Sequence, residues 1–260
     1  MPFADAADPK RSDAAVESES IRLLEVDPDL FGFLTPEEEC AAARLTLPVL
    51  TVTHADIEIS TQVEHAKAFA ALVLDGMLVH RVRIGDHPAL RLFGPADVLC
   101  FGGEPSPIIV AESRCSSLSQ TRLALLGGNL LIAARRFPQI VQGLSARIAE
   151  QSQRDAAHLA ASQLPRVEQR LIAIMWLLAE KWGYVSAAGT VLPLAFTHET
   201  LGALIGARRP TVTLALRQLS ERGQLLKHHH GWLIIEPPPG SCNQAPLPTN
   251  GSRTCASECQ

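Results

Sequence analysis

The sequence predicts an α+β fold: an antiparallel β-roll, then a long helix, then two short helices joined by a tight turn and flanked by short strands. Three observations carry this. Short runs rich in branched residues, separated by turn signals, recur from about residue 46 to 120. The stretch 138–163 then runs without proline after Pro138 and with Gly143 as its one glycine. Finally, two short amphipathic segments meet at Gly206, the pattern of a helix–turn–helix.

Composition bounds what this fold can be. The 260 residues are 47% hydrophobic and 19% charged, which is ample for a packed core and excludes disorder of the whole chain. The longest nearly apolar run, 123–134, is broken by Gly127, Gly128 and Asn129 and falls short of the ~18 residues of a membrane span. No secretory leader is visible behind Asp5, Asp8, Lys10, Arg11 and Asp13, so a cytoplasmic location and no membrane partner are expected. The net charge of −4 is unevenly spread: residues 1–163 carry −7, residues 164–238 carry +3 and four histidines, and the tail is neutral. An acidic front and a basic back suggest a sensing or scaffold part joined to a polyanion-binding part.

In chain order, residues 1–20 lack an apolar period and form a disordered lead-in. Short helical pieces follow over 21–45, with Pro28 and Pro36 as stops. The roll, counted as 21–137, has strands at 47–53, 57–60, 69–74, 77–84 and 89–93, with turns at Asp75-Gly76, Gly85-Asp86-His87-Pro88 and Gly94-Pro95-Ala96-Asp97. Cys40, Cys100 and Cys115 have apolar neighbours and read as small core residues. The helix 138–163 has a narrow apolar stripe, Val141, Leu144 and Ile148, then Ala156, Leu159 and Ala160. About 25 residues make a rod of ~37 Å, longer than one small domain needs. Two readings fit: a seam against a second copy, or an amphipathic helix lying on the roll.

The C-terminal domain is 164–238. A strongly apolar helix runs over 167–182, and a short strand over 191–196. Thr197 caps the first helix of the pair, and Gly206 closes it in a left-handed conformation. Pro210 suits the first turn of the second helix. On a helical wheel Val212, Ala215, Leu216 and Leu219 face Leu201, Leu204 and Ile205, while Thr213, Leu214, Arg217 and Glu221 point outward. Arg208, Arg209 and Thr211 crowd the N-terminal end, where the dipole and free N–H groups favour phosphate. Arginine can reach guanine O6 and N7, and threonine or leucine a thymine methyl. An αα-hairpin with a solvated face is the plainer alternative. Strands at 225–227 and 232–235 around His228-His229-His230-Gly231 form a wing. Adjacent strand residues alternate sides, so the three histidines do not converge on one metal, and Lys227 reads as a phosphate neighbour. Residues 239–260 are a flexible Pro/Ser/Gly/Asn-rich tail, where Cys242, Cys255 and Cys259 match no zinc spacing.

The stretch 196–237 resembles the winged helix-turn-helix of the Crp/Fnr regulators, bacterial transcription factors of the cAMP-receptor type. The residues that carry the resemblance are Thr197, Leu201-Gly202, Ile205-Gly206, Arg209, Thr211-Val212, Leu216, Leu219 and Gly223. Leu74-Asp75-Gly76 and the run from Leu92 to Leu99 through Gly94-Pro95-Ala96-Asp97 resemble the family's cyclic-nucleotide-binding-like roll, so the likeness spans about 21–238. It implies a homodimer on double-stranded DNA, with recognition helices in successive major grooves ~34 Å apart on a near-palindromic site, and RNA polymerase as a further partner. Arg209 falls where the family places a base-reading arginine. Arg208 replaces a short cap, and Pro210 and Leu214 replace polar groups that often read bases, which points to a different operator. The candidate DNA-contacting residues are Thr197, Arg208, Arg209, Thr211, Thr213, Leu214, Arg217 and Lys227.

Family members that bind a cyclic nucleotide use Gly-Glu and, about ten residues on, Arg with Ser or Thr. Gly103-Glu104 and Arg114 have that spacing, with Glu104 for the ribose and Arg114 for the phosphate. Cys115 stands where a hydroxyl belongs, and 105–110 offers neither glycine nor a short helix. Arg114-Cys115 also aligns better with the strand after the cassette. The expectation is therefore a degenerate or altered effector pocket and no cofactor. An N-terminal cysteine cluster for an iron–sulfur centre is absent, since Cys40 stands alone; for heme, His54, His65, His80 and His87 are available. Two rivals remain. One is a cupin-like metal-dependent enzyme on the roll, for which His54, Glu58 and His65 give the wrong pattern. The other is a dimeric interaction protein that no longer binds DNA, against which Arg208, Arg209, Thr211, Thr213 and Arg217 argue. The protein is expected not to be an enzyme.

Overall fold

The computed structural model describes residues 19–32, 34–53, 56–57, 67–100, 111–229, 231–235 and 237. Ser20, expected in the lead-in, instead opens strand β1 (Ser20–Arg22) and pairs with Pro48. Helix α1 (Leu23–Val26), a 3-10 turn (Pro28–Phe31) and helix α2 (Pro36–Ala42) follow. Pro28 and Pro36 start their helices rather than stop the preceding ones. A proline in the first turn has its φ already set, and its missing N–H has no intrahelical acceptor to lose. Thr35 opens α2 with a capping box: its hydroxyl accepts the Glu38 N–H at 3.4 Å, and the Glu38 carboxylate accepts the Thr35 N–H at 2.8 Å.

The roll contains β2 (Thr46–Val52), β3 (Asp56–Ile57), β4 (Ala70–Asp75), β5 (Leu78–Ile84), β6 (His87–Phe93), β7 (Val98–Cys100), β8 (Ala111–Ser117) and β9 (Thr121–Leu126). One sheet has the order β1-β2-β9-β4-β7 and the other β3-β8-β5-β6, with every pair antiparallel. The apolar run 123–134 is two elements: β9, then α3 (Gly128–Arg136) after Gly127.

Three apolar layers result from strand alternation. Leu50, Val52, Ala71, Val73, Leu123 and Leu125 meet Leu78 and Phe93 between the two sheets. The other face of the first sheet, with Leu47, Ala70, Leu72, Ala124 and Leu126, is covered by Leu23, Leu30, Phe31, Leu130, Phe137 and Ile140. The outer face of the second sheet, with Val79 and Leu90, joins the core of the C-terminal domain. The expected cysteine burial is corrected: Cys40 and Cys100 are exposed, and only Cys115 is partly buried, where desolvation pushes its thiol up to about 11.

Helix α4 (Gln139–Ser162) and helix α5 (Val167–Trp182) follow at the positions the spacing predicts. Strands β10 (Tyr184–Ser186) and β11 (Gly189–Leu192) come next. The strand expected over 191–196 stops at Leu192, because Pro193 has no N–H for the ladder. Helices α6 (His198–Ile205) and α7 (Arg209–Glu221) lead into β12 (Leu225–His228) and β13 (Gly231–Ile234), in a sheet of order β10-β11-β13-β12. No helix among the described residues is long and apolar enough to cross a membrane.

Candidate nucleic-acid interface

The turn between α6 and α7 is set by local chemistry. Thr197 Oγ1 accepts the Thr200 N–H at 3.0 Å. Gly206 sits at φ 65°, ψ 40°, the left-handed conformation in which a side chain would be strained. The chain turns tightly enough that a Cβ on Gly202 would lie 2.5 Å from the Ala207 carbonyl oxygen. Behind α7, Val212, Ala215, Leu216 and Leu219 are buried against Leu201, Leu204 and Ile205 of α6. Burial of each Val or Leu contributes about 2 kcal/mol, so the face toward the protein is fixed and the opposite face is turned outward.

That outward face carries the expected residues. Arg208, Arg209, Thr211, Thr213, Leu214 and Arg217 are all exposed. Arg208 is the N-cap of α7 and makes no side-chain capping bond, so the N–H groups of the first turn keep no protein side-chain acceptor there. Lys227 is exposed on the wing strand β12, opposite Trp232. Arg217 Nε donates to Glu221 Oε1 at 2.7 Å along the helix. Thr213 donates to the Arg209 carbonyl at 3.0 Å, and His198 Nδ1 lies 2.8 Å from the same hydroxyl. His198 was not singled out in the sequence. It stands in the first turn of α6, fifteen residues from its partner, and no local pattern announces the contact.

Of the two effector candidates, only Arg114 is among the described residues. Glu104 lies outside the described residues, as do His54, Glu58, His65 and His230. Arg114 is exposed on β8, directly opposite the exposed Arg81 of β5. Its neighbour Cys115 packs into the layer between the sheets, so alternation turns Arg114 to the outer face. His80, opposite Cys115, is half-buried and held below its ordinary value by desolvation first and by Arg91 second; His87 is exposed. Among the described residues no group of three or more His, Cys, Asp or Glu is placed to hold a metal.

On the side of helix α4 toward the protein, Gln151 exchanges two 3.2 Å hydrogen bonds with the Val98 backbone, His158 Nε2 donates to the Leu204 carbonyl at 2.6 Å, and Arg91 pairs with Asp155 at 2.5 Å. Asp97, 2% exposed, accepts the Gly94 N–H at 2.9 Å, Arg154 of α4 at 2.6 Å, and Lys181 of α5. One carboxylate thus ties the roll, the long helix and the C-terminal domain together. Along the edge of that side Val141, Ile148 and Leu159 are 52%, 42% and 64% exposed, seven and eleven residues apart and so near one line of the helix.

A roll, a long helix and a winged helix-turn-helix in this order make the fold of a Crp-like transcription regulator. Residues 169–239 match the family of the Crp-like helix-turn-helix domain. No curated protein sequence matches. Solved structures share the fold at low identity. A mutant of CooA from Carboxydothermus hydrogenoformans is 14% identical with a TM-score of 0.58, over 73% of this chain and 83% of that one. FixK2 from Bradyrhizobium japonicum is 16% identical with a TM-score of 0.54, over 73% and 93%. A cyclic nucleotide-binding domain containing protein from Listeria monocytogenes is 17% identical with a TM-score of 0.59, over 82% and 98%.

Proposed function

We propose that this protein is a homodimeric transcription regulator that reads a near-palindromic DNA site through α7. The observation that carries the reading is the exposed face of α7, where Arg208, Arg209, Thr211 and Arg217 stand outward over a helix held from behind by four buried side chains. Arg209 reads a base edge, Arg208 and the first turn of α7 hold phosphate, Thr213 and Leu214 offer methyl groups to thymine, and Lys227 holds phosphate beside the wing. Thr197 acts by capping α6 and so fixing the angle at which it meets the backbone.

The exposed line Val141–Ile148–Leu159 supports a second copy of the same helix as the partner that covers it. RNA polymerase is the further partner this reading carries, and the cytoplasm the compartment. For the roll, the outward Arg114 and the apolar layer between the sheets support an altered effector site without a cyclic-nucleotide phosphate cradle. No catalytic step is assigned to it.

A genome-wide DNA pull-down with purified protein at two salt concentrations tests the reading. The expected result is enrichment of fragments sharing two half-sites about one helical turn apart. Enrichment that follows no sequence, and vanishes uniformly at the higher salt, overturns it.

A further inference from the structure

A cavity of about 50 Å³ lies where the three parts of the chain meet; its lining includes Arg91 of β6, Arg154, Asp155 and His158 of α4, Lys181 and Trp182 of α5, and Leu204 of α6. It is separate from the layer between the two sheets, and α7 does not line it. Its polar groups are out of balance. Arg154 and Lys181 share the single carboxylate of Asp97. Arg91 meets Asp155 through Nη2, but its Nε is buried with no hydrogen-bond partner, and so is Nε1 of Trp182. Both orphaned atoms are N–H donors. Burying such a donor without an acceptor costs about 1–3 kcal/mol; both donors belong to residues that line the cavity, with the Nε1 edge of Trp182 packed beside Gly94.

We propose that this junction is a binding site for a small oxyanion, a phosphate or carboxylate group. Such a group supplies several acceptor oxygens at once, answers the Arg91 and Trp182 N–H groups, and lies beside the guanidinium of Arg154 and the ammonium of Lys181, where charge-assisted hydrogen bonds are strongest. A water needs ~10–15 Å³ of such space, so a volume of about 50 Å³ takes a group of a few heavy atoms. The cation Lys181 is already held below its ordinary value, by desolvation first, with Asp97 opposing; the charge of an added anion offsets that desolvation as Asp97 does. Because its lining comes from β6, α4, α5 and α6, the occupied site braces the roll against the C-terminal domain. What occupancy does to DNA affinity rests on the regulator reading; the binding itself does not.

The test is a thermal-unfolding titration of the full-length protein with inorganic phosphate and, separately, acetate, each against sodium chloride at matched ionic strength. A saturable rise in the unfolding midpoint with phosphate, with acetate or with both supports the site, and the arm that responds names the class. Trp182→Phe keeps an aromatic side chain, though a smaller one, and removes the donor; Arg91→Met removes the other. Each weakens the response about ten-fold, the loss expected for one hydrogen bond to a charged group. Trp182→Phe remains interpretable even if Arg91→Met fails to fold. Arg209→Ala, at the anion-favouring end of α7, leaves the response intact. No response to either anion, or an equal response in Trp182→Phe, overturns the proposal. A failed DNA pull-down leaves this assay untouched, so the two readings fall separately.

Discussion

His198 Nδ1 lies 2.8 Å from Thr213 Oγ1, and the same hydroxyl donates to the Arg209 carbonyl 3.0 Å away. Since the hydroxyl spends its only proton on that carbonyl, the histidine nitrogen carries the proton of the second bond. Thr213 therefore turns its methyl, not its hydroxyl, toward a duplex, and the contact joins α6 to α7. Thr213→Val keeps the shape and the methyl. It is expected to change affinity for the selected DNA site by less than about 1 kcal/mol, below the 1–3 kcal/mol of a bidentate base contact. Fluorescence anisotropy on that site measures it, and a loss of bidentate size would show that the hydroxyl reads a base.

Lys227 is exposed on the wing strand β12. Lys227→Ala should weaken binding to specific and random DNA alike and lower the slope of log affinity against log salt by about 1. Titrations over a range of salt decide it; a loss confined to the specific site would make Lys227 a reader.

On α4, Ile148 is exposed in the middle of the line from Val141 to Leu159. Ile148→Glu places a charge on that line, one turn from Gln151. The variant is expected to keep the helical circular dichroism of the parent and to sediment as a monomer. A variant that still sediments as a dimer would place the seam elsewhere.

His80 gives the roll a pH dependence. Desolvation, then Arg91, holds its folded value below 6.5, so between that value and 6.5 the unfolded chain binds more protons than the folded one. Stability contributed by the neutral imidazole is present above 6.5 and is lost as the pH falls through this window. His80→Leu, on the apolar layer beside Phe93, should flatten that part of the profile in urea unfolding at about pH 7 and pH 5.5. An unchanged slope would assign the acid sensitivity to other groups.

The C-terminal helices were legible because their signals are local. Thr197, Gly206 and Pro210 each act within one turn, and the apolar wheel of α7 needs no partner to be read. The roll was legible as a type of structure but not in detail. In β9 every residue from Leu123 to Leu126 is buried on both faces, so no alternation separates the strand from the helix after Gly127. Cys100 follows two buried residues yet ends its strand exposed, which neighbour hydrophobicity does not report. Asp97 reads as a turn residue, and its ion pairs reach 57 and 84 residues along the chain. Pairings at that range belong to the assembled fold, and so does the cavity beside them.

The central claim is that α7 lies in a major groove with Arg209 at the base edges, twice per dimer. Hydroxyl-radical footprinting of the parent and Arg209→Ala on a selected fragment tests it most directly. The account predicts two protected segments centred about 34 Å apart, and an Arg209→Ala protein that loses roughly 1–3 kcal/mol of specific binding. A single protected segment, or a variant with the parent's affinity, would contradict it.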